Sequence, residues 1–351
     1  MDELSDRLAA RTLALCRVRS PSGEERALCD QLEPWARALP RGPVVRIGNS
    51  LVVGAAGSRP AVALVGHLDT VPFFAGEGEP RREGGRIHGK GASDMKGGVA
   101  VAQALFEELP PDGPVGLVLV LYEREEGPYA ENGLEPLFAA GAIPRVDLAI
   151  CLEPTANALQ PGCVGSLHAT LRFRGKSAHS ARPWEGRNAI HAAGPLLARL
   201  AALAPVEVER DGLVYREVFS VTRAAGGHAR NVLPDLFELN LNYRFAPGKD
   251  LERAQDDVRQ LVGEAVEIEF TDLSPSGPPC LGNPLVQRLS TLARGVAPKQ
   301  AWTDVARFAV HGIDAVNFGP GEPTQAHQAG EWADVAPLGD CYRALRTLLG
   351  G

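Results

Sequence analysis

The residues best suited to chemistry stand where apolar runs end. Gly66-His67-Leu68-Asp69-Thr70-Val71-Pro72 follows Ala61-Val62-Ala63-Leu64-Val65, a short unbroken run that reads as a strand buried on both faces. His67 and Asp69 lie two apart on an extended segment, so their side chains point the same way. Asp69 is then placed to accept the His67 ring proton and leave the other nitrogen free for a metal. One such histidine is more often structural than functional, so the case depends on further groups. Val115-Gly116-Leu117-Val118-Leu119-Val120-Leu121 leads into Tyr122-Glu123-Arg124-Glu125-Glu126-Gly127, and Asp147-Leu148-Ala149-Ile150-Cys151-Leu152 leads into Glu153-Pro154-Thr155. Gly91-Ala92-Ser93-Asp94-Met95-Lys96-Gly97-Gly98 introduces a helical run from Val99 to Leu109, which puts Asp94 just ahead of a helix. His327 stands in Ala326-His327-Gln328, after the apolar Ala315-Val316-Asn317-Phe318. Strands of a parallel sheet end on one edge, where ligands of open α/β sheets bind, so these scattered groups are expected to converge. Two imidazoles and three carboxylates would suit two borderline-hard ions such as zinc, one carboxylate bridging them at the ~3.5–4 Å separation of two-metal hydrolases. One glutamate is left over, as a hydrolase needing a general base requires. Spacing does not settle the order within the Glu125–Glu126 pair.

The elements that must position these groups fall into two classes. Residues 4–17 carry apolar positions at helical spacing, and Ser22-Gly23-Glu24-Glu25 predicts a capping box opening a second helix. The Gly- and charge-rich residues 75–92 read as a surface loop. From about residue 166 the pattern becomes alternating: Leu167, Ala169, Leu171 and Phe173, then Phe237, Leu239, Leu241, Tyr243 and Phe245, each set interleaved with polar residues. With helical runs at 187–204 and 249–262 and strands near 215–223 and 265–271, the order is β-α-β-β-α-β, the ferredoxin-like split unit. The reading is therefore an α/β fold with a mostly parallel central sheet, residues 1–165 and 278–351, interrupted by an inserted domain at 166–277. A closing helix is expected near 335–349.

Length and composition agree. At 351 residues about two domains are expected. A net charge of -7 makes nucleic acid and anionic membrane poor partners. The acidic start lacks an apolar signal region and no run approaches the ~18 residues of a membrane span, so the cytoplasm is the expected compartment. Cys16, Cys29, Cys151, Cys163, Cys280 and Cys341 form no C-x-x-C pair and read as small buried hydrophobes.

Together, the His67-x-Asp69 strand end, Gly91-x-x-Asp94-Met95-Lys96-Gly97-Gly98, Glu125-Glu126-Gly127, Glu153-Pro154-Thr155 and Ala326-His327-Gln328 resemble the dinuclear-zinc deacylase and aminoacylase family, over nearly the whole chain. The resemblance implies a zinc-peptidase-like catalytic domain with an inserted lid and dimerisation domain. It implies one Zn2+ on His67, Asp94 and Glu153 and a second on Asp94, Glu126 and His327, with Co2+ or Mn2+ as possible substitutes. Asp94 would bridge, Asp69 would orient His67, and Glu125 would be the base. His179, in Gly175-Lys176-Ser177-Ala178-His179-Ser180-Ala181, resembles the lid histidine that completes a partner's site in dimeric members. Asn231, Arg244, Thr303 and Gly319 are implied substrate contacts.

His179-Ser180-Ala181-Arg182, Asn242-Tyr243-Arg244-Phe245-Ala246-Pro247 and Trp302-Thr303-Asp304-Val305-Ala306-Arg307-Phe308 are most similar to the succinyl-diaminopimelate desuccinylase branch. The reaction this resemblance implies is hydrolysis of N-succinyl-L,L-2,6-diaminopimelate to succinate and L,L-diaminopimelate, with deacylation of acetylornithine or an N-acyl-lysine as the alternative. Departures from the pattern are Gly330, where an acidic residue is common, and His228 and Arg230 near the expected substrate contacts. A non-catalytic zinc protein of the same fold would not need Glu125.

Overall fold

In the computed structural model, which describes residues 2–57 and 59–350, the unbroken apolar runs become strands buried on both faces. Up to residue 162 the chain forms α1 (Glu3–Cys16), α2 (Arg26–Ala38), β1 (Val44–Ile47), β2 (Ser50–Val53), β3 (Ala61–His67), β4 (Arg81–Glu83), β5 (Arg86–His88), α3 (Gly97–Glu108), β6 (Gly116–Tyr122), α4 (Leu134–Ala139), β7 (Leu148–Cys151) and β8 (Gln160–Pro161). Next come β9 (Gly165–Arg174), α5 (Ala189–Ala202), β10 (Val206–Arg210), β11 (Leu213–Gly226), β12 (Leu236–Phe245), α6 (Leu251–Val262) and β13 (Glu267–Ser274). The last part contains α7 (Pro284–Leu292), α8 (Val305–Val310), β14 (Ala315–Asn317), β15 (Trp332–Asp334) and α9 (Val335–Gly350). No described helix is long and apolar enough to cross a membrane.

Two units result: residues 1–162, 279–299 and 303–351, and residues 163–278 with 300–302. In the first, a seven-stranded sheet runs β1-β2-β6-β3-β7-β14-β8, with β6, β3, β7 and β14 as parallel neighbours and antiparallel strands at both edges. Leu8, Val99, Leu105, Leu338 and Leu345 from α1, α3 and α9 share a core with Leu64, Leu121 and Ile150 of the sheet. Gly98 lets α3 start against the end of β7, because a Cβ there would lie 2.5 Å from the Leu152 carbonyl oxygen.

The second unit is an antiparallel sheet in the order β10-β11-β12-β9-β13. Its core joins the inward residues of β9 and β12 to Ala193 and Leu196 of α5 and Ala254 and Val258 of α6. Without β10 the order is that of the split βαββαβ unit. The extra strand, Val-Glu-Val-Glu-Arg, is exposed at four of its five positions, so burial gave it little pattern to read. The signal that marks it is Asp211-Gly212, both at positive φ, which close its hairpin with β11. Gln300 and Trp302 bond to the second unit's backbone, the Gln300 carboxamide accepting from the Arg216 N–H at 3.0 Å and the Trp302 indole N–H donating to the Pro275 carbonyl at 3.0 Å.

Two further expectations are corrected. Residues 75–92 are not all loop: β4 and β5 pair with each other, and β15 joins them in a three-stranded sheet. β4 and β5 have three residues each, of which only Ile87 is buried, and so leave no periodicity. Ser22 does not cap α2, which begins after Glu25 without a side-chain cap. Its hydroxyl donates instead to the Asp69 carboxylate at 2.6 Å.

Candidate metal centre

The turn Ala92–Lys96 enters α3 after Gly91, whose left-handed φ of 81° a side chain would strain. It presents Asp94 between two imidazoles. Asp94 Oδ1 lies 3.1 Å from His67 Nε2 at the end of β3, and Oδ2 lies 3.7 Å from His327 Nε2. Glu126 Oε2 is 2.9 Å from the same His327 nitrogen, and one ligand atom each from His67, Asp94 and Glu126 fall within 4.8 Å of one another. Glu153 is buried at the end of β7. The convergence follows from topology, because β3, β6 and β7 are parallel and deliver His67, the Glu125–Glu126 loop and Glu153 to one edge.

Asp69 acts differently from the sequence expectation. The His67 Nδ1 bond goes to the Asp69 main-chain oxygen at 3.0 Å, while the carboxylate stands 3.6 Å away. That carboxylate instead accepts the backbone N–H groups of Glu125 and Glu126, each at 3.0 Å, together with the Ser22 hydroxyl. Asp69 therefore fixes the acidic pair as well as the histidine. Glu25, also buried, accepts from the N–H groups of Gly23 at 2.7 Å and Arg124 at 3.2 Å. Arg124 is left-handed at φ 61°, which turns the chain after β6 into the pair. An extended dipeptide fixes direction but not where a carboxylate finds its donors, and the nearest donors here belong to another strand's loop.

Two supports went unread in the sequence. Glu331 is buried, and its carboxylate accepts from the N–H groups of Gly91 at 2.9 Å, Ser93 at 2.8 Å and Asp94 at 3.0 Å. It ties the His327 loop to the Asp94 turn. Burial raises its pKa to about 7 against the opposing pull of those three donors. Glu331→Ala would leave the donors buried and unsatisfied, and the metal-free protein is expected to lose about 3 kcal/mol or more, read as a lower denaturation midpoint than wild type. An unchanged midpoint would count against the clamp. Gly330, left-handed at φ 71° with open space around it, precedes this residue without disturbing it. The second support is Asp304, fully buried, which accepts from the Tyr122 hydroxyl at 2.7 Å, Asn132 at 2.8 Å and Arg307 at 2.9 Å. The Tyr122 ring meets His67 edge-on at 6.3 Å between centroids.

The electrostatics are those of a site made for cations. Burial raises Glu125 well above the usual carboxylate range, and the Glu153 and Glu126 charges push it further. Burial, then Asp94, raises Glu153 to about 7, with His67 and Lys299 opposing. Burial alone would lower the His67 pKa, but the Asp94 hydrogen bond and the Asp69 and Glu125 charges hold it well above its ordinary value. His327 is raised, first by its bond to Glu126. Two imidazole nitrogens and clustered carboxylates form a donor set that suits divalent zinc-like ions, and Asp94 offers one oxygen to each side.

The remaining sequence candidates divide between the units. Thr303 is buried in the first. Gly319 packs so closely on the Leu152–Glu153 backbone that no side chain fits, and its N–H donates to Thr155 Oγ1 at 3.0 Å. His179, Asn231 and Arg244 belong to the second. His179 is exposed and pairs with Val232, and Ser180 N–H donates to the Asn231 carbonyl at 2.9 Å. Arg244, on β12, donates to Asn242 Oδ1 at 3.0 Å, and burial lowers its pKa. His228 and Arg230 line an open cavity of about 420 Å³ with Gly226 and Gly227.

Comparison with known proteins gives the family. Residues 63–350 match peptidase family M20/M25/M40. A Mycobacterium tuberculosis protein with the provisional name succinyl-diaminopimelate desuccinylase DapE is 42% identical, with 97% of each chain aligned. The Corynebacterium glutamicum succinyl-diaminopimelate desuccinylase is 36% identical, with 99% of this chain and 97% of that one aligned. A tripeptidase structure from Staphylococcus aureus shares the fold, with a TM-score of 0.78 at 19% identity over 99% of this chain and 98% of the other. With the family match running over most of its length and relatives aligned almost end to end, this chain belongs to peptidase family M20/M25/M40.

Proposed function

We propose that the protein is a zinc-dependent amidohydrolase that cleaves N-succinyl-L,L-2,6-diaminopimelate to succinate and L,L-diaminopimelate, a step toward lysine and cell-wall peptide. The observation that carries the reaction class is Asp94 held between two imidazoles with the Glu125–Glu126 pair beside it. The substrate choice is supported by the two desuccinylase relatives. His67, Asp94 and Glu153 would hold one Zn2+, and Asp94, Glu126 and His327 a second, with Co2+ or Mn2+ as substitutes. When bound, the cations polarise the amide carbonyl and acidify water. Glu125 takes the proton of the attacking water and returns it to the departing amine nitrogen. Asp69, through the two backbone N–H groups it accepts, keeps Glu125 and Glu126 in register for these separate tasks. Asn231, Arg244, Thr303 and Gly319 contact substrate in this reading. Steady-state rates of zinc-loaded protein on N-succinyl-diaminopimelate, N-acetylornithine and N-acyl-lysine test it. The succinyl substrate is expected to lead, and a preference for either of the others overturns the assignment.

In the same reading the protein is a cytoplasmic homodimer, and residues 166–277 are its lid and dimerisation domain. Its six free cysteines support the compartment. Exposed Trp184, Ile190, Leu203 and Val206, and the edge strand β10, support pairing through the second unit. The Ala181 N–H donates to His179 Nδ1 at 3.1 Å, which leaves the ring proton on Nε2 as an outward donor. That donor suits the oxyanion of a neighbour's site, a contribution of about 3–4 kcal/mol. Mixing inactive Glu125→Gln and His179→Ala subunits would then create one intact site per heterodimer. Activity is expected to reappear, and confirmed subunit exchange without recovery would place His179 in its own chain's site.

A further inference from the structure

We infer that Lys299 determines specificity by holding a carboxylate of the substrate beside the metal centre. The inference rests on the proposed function and deepens it. Lys299 is only 8% exposed, yet among the described residues its ammonium group makes no hydrogen bond or ion pair. The other buried lysines of the first unit are committed. Lys96 donates to the Val18 carbonyl at 2.9 Å, while Lys90 pairs with Glu77 at 3.0 Å and donates to the Gln328 carbonyl at 3.0 Å. The stem is packed away while the ammonium nitrogen keeps access to solvent, so the charge is held in place with no partner among the described residues and is open to an arriving anion.

Its place in the fold says what that is. Leu159 N–H donates to the Gly295 carbonyl at 2.8 Å and Ala297 N–H to the Leu159 carbonyl at 3.0 Å, a parallel pairing that Lys299 follows two residues later. Five residues beyond Lys299, Asp304 accepts from the Tyr122 hydroxyl, whose ring meets His67 edge-on, so the segment leads into the metal centre. The positive charge of Lys299 lies close enough to act on both Asp94 and Glu153. Divalent cations at the centre would draw on those same carboxylates and leave Lys299 as a free positive charge on the wall of the site. An N-succinyl amino acid brings a carboxylate on either side of the amide that is cut, so one of them can reach an ammonium group beside the metals. A lysine serves as a point charge for such a group.

The test uses full-length, metal-loaded Lys299→Met and Lys299→Arg. With the N-succinyl substrate, the Met variant is expected to raise KM about tenfold to a hundredfold with little change in kcat, and the Arg variant to recover much of the loss. The N-butanoyl counterpart escapes the penalty if the held carboxylate is the succinyl one and shares it if the carboxylate is on the amino-acid side. Calorimetry with succinate and with L,L-diaminopimelate, each a product carrying one of the two, should show the same one losing affinity in Lys299→Met. Unchanged KM and unchanged affinity for both products would overturn the inference. So would loss of a metal ion from the Arg variant, since that marks a structural role. A wild-type protein inert toward the succinyl substrate would sink the proposed function alone, and the calorimetric comparison would still decide Lys299.

Discussion

Glu125→Gln is expected to keep both of the proposed metal ions and to lose turnover by about 10²–10⁴-fold or more, because the change removes proton transfer and little else. The backbone N–H of Glu125 stays bonded to Asp69, so the loop that places the pair has no reason to move. Glutamine is nearly isosteric and cannot take a proton at neutral pH. It also removes one negative charge from a crowded group, so the metal-free protein should not be weakened. Metal content and rate must be measured on the same preparation. A near-normal rate would reject Glu125 as the base. Loss of a metal ion would mean that Glu125 and Glu126 have exchanged roles, the one ambiguity that adjacency in the chain leaves open.

The second large effect is expected at Asp94. Its two oxygens face different imidazoles, 3.1 Å from His67 and 3.7 Å from His327, so removing the carboxylate strips a donor from both proposed metal positions. Asp94→Ala should weaken both zinc-binding steps and reduce hydrolysis to background. His327→Ala should weaken one step, because His327 lies only on the Glu126 side. Zinc titration by calorimetry distinguishes them, and equal damage from the two changes would rule out Asp94 as the bridge. The backbone N–H of Asp94 remains tied to Glu331 in either variant, so a general collapse of the turn is not the expected cause.

The sequence by itself determined a good deal about this protein. Short unbroken apolar runs rich in β-branched residues read as strands covered on both faces, and such strands in a parallel sheet deliver their carboxyl ends to one edge. His67, the Glu125–Glu126 pair and Glu153 could therefore be expected on one edge before any coordinates, and the turn ahead of α3 is what sets Asp94 beside His67. The alternation in β9 and β12 likewise marked a sheet with one open face. Tertiary structure alone decided which donors meet which acids. Asp69 could have served only its neighbour His67, but folding brought it the N–H groups of Glu125 and Glu126. Ser22 looked like a helix cap and became a donor to Asp69. Glu331 carries no local pattern, since its partners lie 237–240 residues away, and Asp304, though it meets Arg307 three residues on, gains Tyr122 and Asn132 from 182 and 172 residues away. Hydrophobic periodicity records which face of an element is buried. A buried charge takes whatever donors long-range folding delivers, and no local run of sequence encodes that.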